Sequence, residues 1–202
     1  MTFFENTRKP VGVGGIIMVS MMNIGHSAVA RWGLRFLEVA SDAKVLDCGC
    51  GGGANIRRLL KRSPGGTVTG IDYSAVSVEK TKKLNRVAIA AGRCTVLQDD
   101  VANMRFADDG FDVVTAFETV YFWQNLPQCF HEIRRVLKPG GCFLICNESS
   151  GKTAWEKKWT DIIDGMTIYK DSELKTYLEQ ASFREIRIHE NKLGWLCITA
   201  RK

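Results

Sequence analysis

Lys44-Val45-Leu46-Asp47-Cys48-Gly49-Cys50-Gly51-Gly52-Gly53 is a short apolar run that stops in an acid and a cluster of glycines. Such a run reads as a buried strand ending in a tight turn. Glycines let the backbone take φ > 0 and let a ligand lie directly against peptide groups. The next residues, Ala54-Asn55-Ile56-Arg57-Arg58-Leu59-Leu60-Lys61, are compatible with a helix. The turn is therefore expected at a helix N-terminus, where free N–H groups point at a ligand.

Two ligand classes use a strand, a glycine turn and a helix, and the acid two residues before the first glycine separates them. A dinucleotide lays its pyrophosphate over the turn, where a carboxylate at Asp47 would repel it. S-adenosylmethionine has no phosphate and brings an ammonium and a sulfonium, both of which Asp47 would attract. A second piece follows at Thr67-Val68-Thr69-Gly70-Ile71-Asp72, a β-branched run that also ends in an acid. Asp72 lies 19 residues after Gly53. That is about the spacing at which a carboxylate closing the second strand accepts the two ribose hydroxyls of an adenosine.

The glycine stretch resembles motif I of the class I S-adenosylmethionine-dependent methyltransferases, acid-x-Gly-x-Gly-x-Gly, with Asp72 as the acid of the following strand. Two more segments are similar to the small ubiquinone-biosynthesis-like (type 11) members: Arg105-Phe106-Ala107-Asp108-Asp109-Gly110-Phe111-Asp112-Val113-Val114 and Arg134-Arg135-Val136-Leu137-Lys138-Pro139-Gly140-Gly141. The likeness is good over residues 42 to 150 and loose at both ends. It implies a Rossmann-like α/β fold, a doubly wound seven-stranded sheet that is mostly parallel with an antiparallel last strand. It implies cofactor contacts at Asp47, Gly49, Cys50 and Gly51, at Asp72, Tyr73 and Ser74, and at Phe117 and Glu118. It also implies that Asp100 accepts from the adenine amino group and that Val101 offers its N–H to the ring, with Asp99 as the alternative one residue earlier.

Length allows one domain with a substantial core, and no repeat or low-complexity tract divides the 202 residues. We expect a helical cover over residues 1–40, a cofactor-binding core over 41–150, and an insertion helix, last helix and closing strand pair over 151–202. The cysteines at 48, 50, 94, 129, 142, 146 and 197 are odd in number and fall mostly in strand positions. They read as buried thiols in a reducing, cytoplasmic compartment rather than as a disulfide scaffold or a zinc site, and no metal is implied. The formal net charge is +6. Arg57, Arg58, Lys61 and Arg62 and then Lys80, Lys82, Lys83 and Arg86 read as solvated helix faces, so nucleic acid is not the expected partner. Arg8-Lys9 and the apolar stretch after them imitate a secretory leader, but Met18, Met21, Met22, Gly25, Val29, Trp32 and Phe36 keep helical spacing through the would-be cleavage site. No apolar run reaches the ~20 residues of a membrane span.

Further along, one helix is expected over residues 75 to 91 behind Ser74 as N-cap, strand three at 94 to 98 and strand four at 111 to 117. A helix carrying Leu126, Phe130, Ile133 and Leu137 should stop at Pro139, before strand five at 142 to 147. Gly151-Lys152-Thr153 imitates the end of a phosphate loop, but Cys146 stands where its first glycine should be. Residues 153 to 170 read either as part of the acceptor pocket or as a helix covering the sheet edge. In an open parallel sheet the ligand sits beyond the carboxyl ends of the strands, so Phe117-Glu118-Thr119-Val120-Tyr121-Phe122-Trp123 faces the reactive end of the cofactor. The candidate catalytic residues are Glu118, His26 and Tyr121. Glu118 could position the acceptor, take its proton or bind the methionine ammonium, and Met22, Asn23 and Trp32 could line the pocket. Together these readings describe methyl transfer from S-adenosylmethionine to a small-molecule acceptor by in-line displacement, releasing S-adenosylhomocysteine, in a monomer or homodimer. The rivals are an RNA methyltransferase, a nicotinamide-dependent oxidoreductase, which Asp47 argues against, and a cofactor-binding protein without catalysis.

Overall fold

A computed structural model describes residues 25–152 and 156–202. Met22 and Asn23, and the first part of the expected N-terminal helix, lie outside the described residues. The described part opens with helix α1 (Ser27–Gly33) and a 3-10 turn (Leu34–Phe36), then β1 (Lys44–Cys48), α2 (Ala54–Arg62), β2 (Thr67–Asp72), α3 (Ala75–Leu84), α4 (Arg86–Ala90) and β3 (Cys94–Gln98). It continues with β4 (Phe111–Phe117), a 3-10 turn (Val120–Phe122), α5 (Leu126–Val136), β5 (Leu137–Asn147), α6 (Lys157–Ile162), α7 (Asp171–Gln180), β6 (Arg184–Glu190) and β7 (Leu196–Arg201).

The strands form one seven-stranded sheet in the order β3-β2-β1-β4-β5-β7-β6. The first five are parallel, and β7 runs antiparallel between β5 and β6. Strand order reverses between β1 and β4, which makes their carboxyl ends the switch point where such sheets hold ligands. Alternate side chains of each central strand feed opposite cores. Phe143 and Ile145 of β5 join the core under α5 and α7, whereas Leu144 and Cys146 join the one under α1 and α2.

Two boundaries differ from expectation. The helix foreseen over residues 75 to 91 breaks at Asn85, which takes φ −105 and ψ 17 between α3 and α4. Its buried amide donates to Gly53 O and to Thr81 O, so the residue that interrupts the helix also braces the glycine turn. The second difference is at Leu137, which begins β5 instead of ending α5. It pairs with Phe111, and the ladder then slips so that Val113 pairs with Cys142. Pro139 disfavours helical backbone at the residue before it, and an apolar leucine satisfies either element.

All seven cysteines are buried and free. Cys146 and Cys197 sit opposite each other on β5 and β7, and their thiols face Val29 O and Gly33 O of α1. Gly33 lets α1 press onto this pair, since a Cβ there would stand 2.3 Å from Cys146 Sγ. Trp32, one of the pocket candidates, instead packs edge-on against Phe36 and Trp195. The basic helix faces are partly structural: Arg58 donates to Ser27 Oγ of α1 and Arg62 to Leu37 O. Lys152 of the apparent phosphate loop is bonded to Asp171 and Glu190. Among the described residues no helix is long and apolar enough to cross a membrane.

Candidate active site

The turn after β1 is tied down along its length. The N–H groups of Gly49 and Cys50 both donate to Ile71 O, at 2.8 and 2.9 Å, which fastens the turn to the end of β2. Thr81 Oγ1 donates to Gly51 O at 2.7 Å, and Asn85 holds Gly53 O at 3.2 Å. Its glycines then do different work. A Cβ at Gly49 would fall 2.1 Å from Thr119 Oγ1, and one at Gly53 would fall 2.6 Å from the Asn85 amide, so these two let the turn meet β4's loop and α3. At Gly51, with φ +53, a Cβ would meet nothing within 4 Å. Its bare peptide faces open space at the switch point.

Asp72 borders this space. Its Oδ2 accepts from Gly51 N and its Oδ1 from Ser74 N, each at 2.8 Å, which orients the carboxylate and leaves lone pairs for a ligand's hydroxyls. Burial pushes its carboxyl up, and these bonds together with one from Ser77 work in the opposite direction. Asp47 is 1 % exposed and paired in register with Thr115, whose hydroxyl donates to Asp47 Oδ1 at 2.7 Å. Burial is the main reason its carboxyl is raised to about 7; the Thr115 hydrogen bond opposes the shift and nearby Asp72 adds to it. Tyr73 is exposed beside β2, with Gln98 donating to its carbonyl, and Ser74 caps α3 by accepting from Ser77 N.

At the end of β3 the two aspartates part. Asp99 is engaged by the Arg105 guanidinium at 3.2 Å. Asp100 is exposed, with Oδ1 accepting from Ala102 N, and Val101 is buried. Of the two, Asp100 is the one not held by an arginine.

Beyond β4 and β5 lies a cluster that joins all three candidate catalytic residues. Phe117 is buried in the core, and Glu118 directly after it takes φ +56, a region side chains seldom enter. Its Oε1 is buried and has no hydrogen-bond partner. Burial, with the charge of Glu148 added, pushes its carboxyl well above the usual range. His26, just ahead of α1, places Nε2 3.7 Å from Glu148 Oε2; burial lowers its pKa against the opposing pull of Glu148. The Tyr121 hydroxyl accepts from Ser149 N at 2.9 Å and is pushed well up by burial and Glu118. Phe122 is half-buried, whereas Trp123 packs edge-on against Phe130 in the core. Thr167 N donates to Tyr121 O, so the stretch after α6 crosses this same loop.

Residues 46–145 match a family model described as a methyltransferase domain. The matched stretch, 100 of the 202 residues, is a domain of the class I S-adenosylmethionine-dependent methyltransferase family. Its sequence is similar to cycloartenol-C-24-methyltransferase 1 of Oryza sativa, 40% identical over 109 residues that make up 54% of this chain and 31% of that protein. The chain thus spans about a third of the length of such relatives. In fold, the chain is similar to one from the complex between the Haloferax volcanii Trm112 methyltransferase activator and its methyltransferase, with a TM-score of 0.82, 21% identity and 93% of each chain covered. A SAM-dependent methyltransferase from Aquifex aeolicus gives a TM-score of 0.75 at 18% identity, covering 92% of this chain and 97% of that one.

Several groups at this candidate site went unread in the sequence. Glu148 follows β5 as Glu118 follows β4, so the carboxyl-end rule, applied to one strand more, points to it. Thr115 was visible as the polar residue in the apolar run Val113-Val114-Thr115-Ala116-Phe117 of β4. Thr81 and Asn85 carry no local sign of their bracing role, because that role exists only once α3 packs beside the turn.

Proposed function

We propose that this domain transfers a methyl group from S-adenosylmethionine to a small-molecule acceptor and releases S-adenosylhomocysteine. The observation that carries the reading is the open face of Gly51 at the switch point, with Asp72 bonded to its N–H and Asp47 on the strand just before. Two carboxyl groups there suit a ligand with ribose hydroxyls and an ammonium, and oppose a pyrophosphate.

When bound, the cofactor supplies an electrophilic methyl group on a sulfonium. Asp72 holds the ribose hydroxyls, with Tyr73 and Ser74 beside it. Asp100 and Val101 meet the adenine, Asp47 faces the ammonium, and Gly49, Cys50, Gly51 and Phe117 shape the cradle. Glu118, His26 and Tyr121, joined by Glu148, face the acceptor and hold it in line with the methyl group. His26 is kept neutral by burial, so its imidazole has a lone pair to offer inside the cluster. The rice relative, by its name, methylates cycloartenol, which supports a small-molecule acceptor over a nucleic acid. The single sheet supports one catalytic unit over residues 1–202, and the free buried thiols support a reducing, cytoplasmic setting.

Incubation with S-adenosylmethionine and a panel of small-molecule acceptors, with S-adenosylhomocysteine followed by mass spectrometry, tests this directly. Acceptor-dependent product is expected. Tight cofactor binding without turnover on any acceptor class would leave a binding protein and remove the enzymatic half of the proposal.

A further inference from the structure

His26, Glu118 and Glu148 come from three different elements, the entry to α1 and the ends of β4 and β5, yet each offers a ligand atom within 4.8 Å of the other two. One imidazole nitrogen and two carboxylate oxygens form a mixed donor set of the kind that first-row divalent ions accept. Glu118 supplies a second and independent sign. Its Oε1 is sealed from solvent and has no hydrogen-bond partner, although the carboxyl as a whole accepts from Glu148 N–H and the Tyr121 hydroxyl, and one of its oxygens is among the clustered ligand atoms. Leaving a carboxylate oxygen buried and unpaired is costly, and a cation is a partner that would remove that cost.

We propose that His26 Nε2, Glu118 Oε1 and a Glu148 carboxylate oxygen bind one divalent cation such as Mn2+ at the acceptor side of the cofactor cleft. The inference rests on the methyltransferase reading only for what the cation would serve. Three protein donors leave coordination positions open for water and for an oxygen of the acceptor, so the acceptor class is one that carries an oxygen donor beside the methylated atom. Glu148 is the adjustable arm, since its side chain is 52% exposed and its Oε2 stands 3.7 Å from His26 Nε2. Two carboxylates against a divalent ion leave the site near neutral, which fits an uncharged acceptor approaching a sulfonium.

The full-length protein is titrated with Mn2+, following the free-ion electron paramagnetic resonance signal, and in parallel with S-adenosylhomocysteine by calorimetry. One equivalent of bound Mn2+ is expected, weakened about tenfold or more in each of Glu118→Gln, His26→Ala and Glu148→Gln. Because Glu148 is half exposed, Glu148→Gln should keep its thermal transition and its cofactor affinity, which separates loss of the ion from loss of the fold. No Mn2+ uptake at millimolar concentration by wild-type protein, or uptake that Glu148→Gln leaves unchanged, overturns the cation site. The parallel titration judges the methyltransferase reading separately: protein that binds the cofactor product but no Mn2+ keeps that reading and loses this one.

Discussion

Asp47 keeps its proton to about pH 7 because it is buried, and that has consequences of defined sign. Between 3.8, its ordinary value, and about 7, the folded protein holds a proton that the unfolded chain has released. Ligand-free stability therefore falls as pH rises through this window and levels off above it, by roughly 4 kcal/mol at most. The difference in unfolding free energy between wild type and Asp47→Asn, measured by denaturant titration from pH 4 to 8, should show this slope; a flat difference would mean Asp47 is ionised throughout. Cofactor binding has the opposite preference, because an ammonium favours the carboxylate. Affinity for S-adenosylhomocysteine should drop up to tenfold per unit below pH 7 in wild type and not in Asp47→Asn. Asp72→Ala should weaken the same binding by about 1–3 kcal/mol, the loss expected when hydroxyls lose a charged partner. The glycines of the turn separate fold from function. Gly49→Ala drives a methyl into Thr119 and should destabilise the protein by about 1–3 kcal/mol. Gly51→Ala should cost only about 1 kcal/mol of stability, from its positive φ, yet abolish cofactor binding by filling the open face. Equal loss of stability in both variants, measured by thermal melting, would contradict this division.

At the scale of elements, α1 is held to the sheet by a close approach at Gly33 beside the packing of Val29 and Trp32. Gly33 rests on Cys146 and Cys197, and Arg58 of α2 reaches Ser27 at 2.6 Å. Gly33→Ala should push α1 outward and, because His26 stands at its start, disturb the acidic cluster as well. The cost should shrink in a Cys146→Ala background, where the 2.3 Å contact to Sγ is gone. Additive effects in that double-mutant cycle would mean that α1 is fixed by other contacts. Elements were legible in the sequence to different degrees for physical reasons. The parallel strands announced themselves as apolar runs closed by acids or glycines, and Ser74 marked the start of α3. The break at Asn85 did not, because an asparagine in a helical pattern looks surface-exposed until its amide is seen to hold Gly53 O and Thr81 O. Leu137 fitted the helical spacing of α5 and was claimed by β5 through its pairing with Phe111.

For the molecule as a whole, what could be read early was whatever the backbone chemistry demands. A turn with three positive-φ glycines between two acids leaves few ligands to choose from, so the cofactor class was legible in the sequence. The cluster beyond β4 and β5 was only partly legible. Glu118 and Tyr121 lie on one loop, but His26 and Glu148 join them through the placement of β5 beside β4 and of α1 across β5, which is a property of the sheet order and not of any local stretch. Filling the cofactor site should also stabilise the whole fold, by about 2.7 kcal/mol at a ligand concentration one hundred times the dissociation constant. The most direct measurement is calorimetric titration of the purified protein with S-adenosylhomocysteine, and separately with oxidised and reduced nicotinamide dinucleotides. One-to-one binding of S-adenosylhomocysteine alone, lost in Gly51→Ala, is the predicted result. Binding of a dinucleotide, or S-adenosylhomocysteine affinity that survives Gly51→Ala, would contradict the assignment of the glycine turn.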